Sequence, residues 1–190
     1  APMDKEAILA SVKKTNRVLI LHEGARYAGG AWSCGILGEL GAAVAIHPVR
    51  GQMLLFKDRP GRLETVVLQG GIYLIPRADG HVLVGSTLED VGFDKTTTID
   101  ARRLLHGVAA SLLPWLADRE PVMHWAGLRP GSPDNVPVMA RHPTVENLYL
   151  NAGHFRYGIT MAPAAARLLA DTLLDGTPPL YPWKSLARFP

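Results

Sequence analysis

The feature that most constrains this chain is a run of four short apolar segments at residues 52–56, 64–69, 72–75 and 81–86. The breaks between them read Asp58-Arg59-Pro60-Gly61, Gly70-Gly71 and Ala78-Asp79-Gly80. Glycine reaches positive φ without a steric penalty and proline presets the φ of a turn, so breaks of this composition reverse the chain. Parallel neighbours need crossovers of a dozen or more residues. Segments this short with breaks this tight therefore predict antiparallel hairpins.

Helical and strand patterns flank this region. Ala7, Ile8 and Val12 fall on one face of a predicted helix at residues 4–14, which Asp4 can cap. Further helices are expected at 31–40, from Asp100 as cap to about Leu113 before Pro114, and at 160–174 with Gly176 as the stop. Strands are expected at 17–22, 43–47, 121–128 and 148–151, with glycine-rich residues 23–30 as a turn and 129–135 as a loop. The predicted fold class is α+β, a mostly antiparallel sheet flanked by helices.

Composition narrows function. The 20 Lys and Arg against 17 Asp and Glu give a net charge of +3, and no basic cluster is interleaved with aromatics. Nucleic-acid binding is not expected. A single cysteine, Cys34, rules out an internal disulfide framework and a cysteine-based metal site, and it suits a reducing cytoplasm. No membrane span and no export signal are read, and position 1 is not Met, so the chain is expected to begin inside a longer one. There is no GxGxxG loop, no phosphate-binding P-loop and no GxSxG elbow, and the histidines lack metal-ligand spacing.

Two arginines stand in unusual surroundings. Arg129 lies in Gly127-Leu128-Arg129-Pro130-Gly131, at the end of an apolar segment. Arg156 lies in Gly153-His154-Phe155-Arg156-Tyr157-Gly158, between a strand and a helix. A planar guanidinium in such a place suits a carboxylate ligand, and the glycines let backbone approach a flat molecule. The same spacing also suits two solvated loop arginines, and the residues alone leave both readings open.

Taken together, several segments resemble the glycine oxidase family of flavoproteins, related to D-amino-acid and sarcosine oxidases. They are Gly30-Ala31-Trp32-Ser33, Pro48-Val49-Arg50-Gly51-Gln52-Met53, Tyr73-Leu74-Ile75-Pro76-Arg77, Val84-Gly85-Ser86-Thr87, Gly127-Leu128-Arg129-Pro130 and Gly153-His154-Phe155-Arg156. The resemblance implies the substrate-binding and C-terminal, FAD-contacting part of such an oxidase over residues 30–190, without the N-terminal Rossmann βαβ unit. It implies that Arg129, Arg156 and Tyr73 bind the substrate carboxylate. It implies FAD as cofactor, contacted by His154, Phe155, Arg156, Tyr157, Gly158, Ile159 and Thr160 at the start of a helix, and no metal. The implied reaction oxidises a small amino acid (glycine, sarcosine or a D-amino acid), passes the electrons through FAD to oxygen, and yields hydrogen peroxide, an oxo acid and ammonia. Trp32 and Trp125 are expected in the core, Arg50 and Gln52 are read as braces of the sheet, and Cys34 is read as a small buried hydrophobe.

Residues 1–29 look foreign to that family. Their helix and strand resemble the C-terminal domain of the β subunit of a 2-oxo acid dehydrogenase E1 component, without a thiamine site. The competing readings are a non-catalytic module that binds a carboxylate or a partner chain, and an E1 β fragment with an unrelated extension. Association with a missing N-terminal half, or with further copies of the chain, is the expected assembly.

Overall fold

The computed structural model describes residues 18–21, 38, 44–142 and 148–174. The helices expected at 4–14 and 31–40, the turn at 23–30, Trp32, Cys34 and Gly176 lie outside these residues, apart from Gly38, which is helical. The chain divides into two compact units, Val49–Leu128 and a second made of Ala1–Pro48 with Arg129–Pro190.

The unit Val49–Leu128 is built on a five-stranded sheet in the order β3-β4-β5-β2-β6. Its strands are β2 (His47–Phe56), β3 (Val67–Gln69), β4 (Ile72–Pro76), β5 (Val82–Gly85) and β6 (Met123–Gly131). The pairs β3–β4 and β4–β5 are antiparallel, as the turn chemistry predicts, but the hairpin expected across Asp58-Arg59-Pro60-Gly61 does not form: β2 pairs antiparallel with β5 rather than β3, a register set by partners far along the chain. Gly70 and Gly71 sit at φ 56° and 83°, the two positive values that a tight hairpin turn needs to match strand twist.

One face of this sheet is covered by α1 (Ile99–Leu112). Leu105 and Ala109 of α1 pack with Leu54, Phe56, Leu74, Val82 and Val84. Each buried leucine or phenylalanine there contributes roughly 1.5–3 kcal/mol. The helix is capped by Thr98, whose hydroxyl accepts from the Ala101 N–H at 3.2 Å, and Asp100 lies in the first turn. The expected cap at Asp100 is thus two residues late. The reason is long-range: the Thr98 N–H donates to Gln52 Oε1 at 2.8 Å, which fixes Thr98 in extended backbone and starts the helix after it.

Among the described residues, the second unit holds a three-stranded sheet in the order β1-β8-β7. Here β1 (Val18–Leu21) runs parallel to β8 (Leu148–Ala152), and β7 (Val138–Arg141) pairs antiparallel on its other side. Val44, Ile46, Val138, Leu150 and Ala152 form its core. A helix, α2 (Gly158–Leu174), follows β8.

Three expectations shift. Residues 44–46 are not strand, and the strand begins at His47. Arg129–Gly131, expected in a loop, completes β6. The sequence reading left β7 unassigned, because four residues become a strand only through their pairing with β8.

Candidate functional site

Strand alternation sorts the residues of the unit Val49–Leu128. Leu54, Phe56, Leu74, Val82 and Val84 point to α1. Their neighbours Met53, Leu55, Tyr73, Ile75, Leu83 and Gly85 therefore occupy the opposite face. Met53, Leu55, Tyr73, Ile75 and Leu83 are half-buried. Tyr73 thus stands on the face away from the helix, directly opposite Gly85 in register. Gly85 also faces Met53 on its other side.

Arg50 and Gln52 do what a brace does. Arg50, 4% exposed, donates to Glu89 Oε2 at 2.6 Å, to Asp94 Oδ2 at 2.6 Å and to the Thr96 carbonyl at 3.0 Å. Gln52 Nε2 donates to Glu89 Oε1 at 2.9 Å. Burial works against ionisation of Glu89, but hydrogen bonds from Thr87, Arg50 and Gln52 outweigh it and hold its carboxyl below the usual range. Gln52 Oε1 accepts from Thr98 N–H and lies 3.0 Å from His124 Nε2, so that ring nitrogen carries the proton. Burial, with Arg102 nearby, lowers the His124 pKa and favours the neutral ring. This network ties the loop after β5 to β2, β6 and α1. It also explains Trp125: with His124 turned toward Gln52, Trp125 projects to the other face, half-buried and outside both core clusters.

The other unit carries Arg129 and the 153–160 segment. Gly153 at φ 81° turns the chain out of β8. His154 follows, 1% exposed. Phe155 sits at φ 52°, a left-handed conformation uncommon for a side-chain-bearing residue. Its N–H donates to the Pro130 carbonyl at 3.1 Å. Arg129 precedes Pro130 and Arg156 follows Phe155, so this bond puts both arginines on adjacent chain segments, each half-buried. The Tyr157 N–H then donates to the His154 carbonyl at 3.0 Å and closes the turn. Met161 N–H to Tyr157 carbonyl, 2.8 Å, is the first bond of α2. The amides of Gly158, Ile159 and Thr160 consequently have no acceptor within the helix and present a partial positive charge.

The segments that carry the two arginines are therefore neighbours, while Tyr73 lies in the other unit. Met53 and Gly85 were missed as neighbours of Tyr73. Alternation in Gln52-Met53-Leu54 gives the face of Met53, but its row depends on register, which is long-range. Among the described residues, no group of three or more His, Cys, Asp or Glu could hold a metal, and no helix is long and apolar enough to cross a membrane.

Comparison with known proteins bears on this arrangement. The FAD dependent oxidoreductase family matches residues 22–172. The chain is 52% identical over 153 residues to a glycine oxidase of Pseudomonas aeruginosa, covering 80% of this chain and 42% of that protein. A glycine oxidase of Pseudomonas putida is 48% identical over 155 residues, covering 82% and 42%. The crystal structure of glycine oxidase from Geobacillus kaustophilus superposes with a TM-score of 0.75 at 29% identity, over 85% of this chain and 44% of that one. The chain thus spans about two fifths of the length of these relatives. The resemblance of residues 1–29 to a 2-oxo acid dehydrogenase E1 β subunit is not supported: the family match starts at residue 22, and β1 pairs with β8 of the oxidase-like region. By the extent of its match, 22–172, the chain belongs to the FAD dependent oxidoreductase family.

Proposed function

We propose that residues 30–190 form the substrate-binding and FAD-contacting part of an oxidase that acts on a small amino acid. The observation that carries this reading is the Phe155 to Pro130 backbone bond, which joins the chain segments that hold Arg129 and Arg156 just before α2. Two forked cations suit one carboxylate better than either alone. Tyr73, on the open face of the five-stranded sheet, is the third substrate residue.

The residues fit FAD. Gly158, Ile159 and Thr160 offer three helix-terminal amides to an electron-rich ring edge, and Gly153 and Phe155 turn the backbone out of the way. Ile159 is 83% exposed and Tyr157 58%, an apolar border for a flat ring. When bound, FAD would supply the two-electron acceptor for oxidation at the amino acid's Cα, with oxygen as the terminal acceptor. The chain's own part is orientation and charge: arginines hold the carboxylate, and the amides favour negative charge on the ring. With one cysteine, we place the protein in a reducing cytoplasm. We propose as its partner the N-terminal half that the family resemblance implies, with further copies of the chain as a second mode of assembly.

The test is complementation. The chain is co-expressed with the part of the Pseudomonas aeruginosa glycine oxidase that it does not cover, and peroxide is measured with glycine, sarcosine and D-alanine. Activity is expected with at least one. Arg129→Ala and Arg156→Ala should each raise KM about tenfold to a hundredfold, from loss of a charge-assisted bond worth ~1.5–3 kcal/mol. Unchanged KM in both variants would sink the clamp. A second reading is a carboxylate-binding module without catalysis. It predicts carboxylate binding and no peroxide in the complex.

A further inference from the structure

Asn151 on β8 is 6% exposed, and its Oδ1 has no hydrogen-bond partner among the described residues. Alternation explains where the side chain stands. Leu150 and Ala152 pack with Val44, Ile46 and Val138, so Asn151 occupies the opposite face of the three-stranded sheet. Its register partners are Leu21 on β1 and Met139 on β7, residue types without a side-chain donor. An acceptor left unmet under cover costs stability, and asparagine is depleted in strands, so this residue does not stabilise the fold. Its position suggests another role. β1 and β8 run parallel, Leu21 is the last residue of β1, and β8 ends at Ala152, just after Asn151. Open sheets with parallel strands hold ligands outside the carboxyl ends of those strands. From that end the chain continues through Gly153 to the α2 amides.

We infer that Asn151 is a further cofactor-binding residue, whose Oδ1 accepts a hydrogen bond from an O–H or N–H group on the flavin half of FAD. The inference rests on the reading of residues 153–160 as the FAD-contacting segment. The two kinds of contact are opposite in sense. The α2 amides donate, so they meet acceptors on the ring edge. Oδ1 can only accept, so it selects a donor, either a hydroxyl of the chain attached to the ring or the ring's own N–H. Phosphate oxygens cannot serve it. The terminal torsion of asparagine is broad, so the carboxamide can turn its acceptor toward an arriving donor. The free chain thus carries an unmet acceptor that bound flavin satisfies.

Asn151→Leu, close in shape but without the amide, separates this role from a structural one. In the chain alone it should raise Tm by about 2–4 °C, because an unmet buried acceptor is removed. A lower Tm would show that the amide holds the fold, and would overturn the inference. In the complex with the complementary part of the Pseudomonas aeruginosa glycine oxidase, the same change should raise the Kd for FAD about tenfold. An unchanged Kd overturns the inference and leaves the oxidase reading intact. A wild-type complex that takes up no flavin overturns both. A third measurement needs no variant. The unaltered chain, isotope-labelled at its four asparagines, is titrated with FMN and with ADP at millimolar concentrations, the range expected of a few hydrogen bonds. The Asn151 side-chain amide signal should shift with FMN and not with ADP. An Asn151 amide that does not respond to FMN overturns the inference, whether ADP or the complementary protein part moves it instead.

Discussion

Asp58 shows how a single residue can be read correctly and incompletely at once. Its place in Asp58-Arg59-Pro60-Gly61 marks a turn. The folded chain adds a role that spacing does not reveal. Its side chain, 2% exposed, accepts from the Arg59 N–H and from Trp115 Nε1, both at 2.9 Å. Arg62 pairs with it at 3.4 Å and lies 4.4 Å from the Trp115 ring centre. Trp115 belongs to a short 3-10 turn, Pro114–Leu116, so one carboxylate ties the loop after β2 to the end of α1. Burial opposes its ionisation. The Arg59 and Trp115 N–H groups, then the charges of Arg62 and Arg119, outweigh that penalty and leave the pKa below the ordinary value. A folded pKa below the unfolded one means that the stabilisation is complete above the unfolded value and lost as pH falls through the folded value. Asp58→Ala should cost about 2–3 kcal/mol near neutral pH, because Trp115 Nε1 loses its acceptor in a buried place. Urea denaturation should show the gap between variant and wild type narrowing toward about pH 3. A gap independent of pH would mean that packing, not charge, explains the loss. Arg50 and Gln52 are the counterpart: their bracing role was legible from their place in an apolar strand, but their partners Glu89, Asp94 and Thr98 were not.

At the scale of elements, what was legible depended on whether the deciding interaction is local. The hairpin at Gly70-Gly71 and the end of α1 at Pro114 follow from backbone chemistry at those residues. The start of α1 at Thr98 and the existence of β7 follow from partners far along the chain. The same distinction gives two glycines opposite behaviour. Gly80 sits at φ 87°, and a Cβ there would lie 2.5 Å from Pro60 N and 2.7 Å from Arg59 C, which are backbone atoms of the facing turn. Neither the dihedral nor the neighbour can yield, so Gly80→Ala should destabilise by more than about 1 kcal/mol. Gly107 lies inside α1, with nothing within 4 Å of a built Cβ and no positive φ. Gly107→Ala should stabilise by up to about 1 kcal/mol through helix propensity. Thermal melts of the two variants should therefore move in opposite directions. A fall in both would show that the outer surface of α1 is in use.

At the scale of the whole molecule, the proposed function makes the arginine pair and the α2 amides one side of a cofactor site, whose other side these 190 residues do not supply. The sequence contains no GxGxxG loop, the element that grips a dinucleotide's pyrophosphate. The matched part of the chain covers only 42% of the Pseudomonas aeruginosa glycine oxidase. Contacts to the ring edge alone amount to a few amide hydrogen bonds, each worth about 1 kcal/mol net. A few kcal/mol corresponds to a dissociation constant on the order of millimolar. The purified chain should therefore be colourless, and quenching of free FAD fluorescence by it should not saturate at micromolar concentrations. Adding the complementary part of the relative should convert this to stoichiometric yellow protein. The Ile159 and Tyr157 side chains, exposed in this chain, should then become protected. The outcome that would overturn this division of labour is tight flavin on the chain alone. Ring-side contacts would then have to carry most of the binding energy.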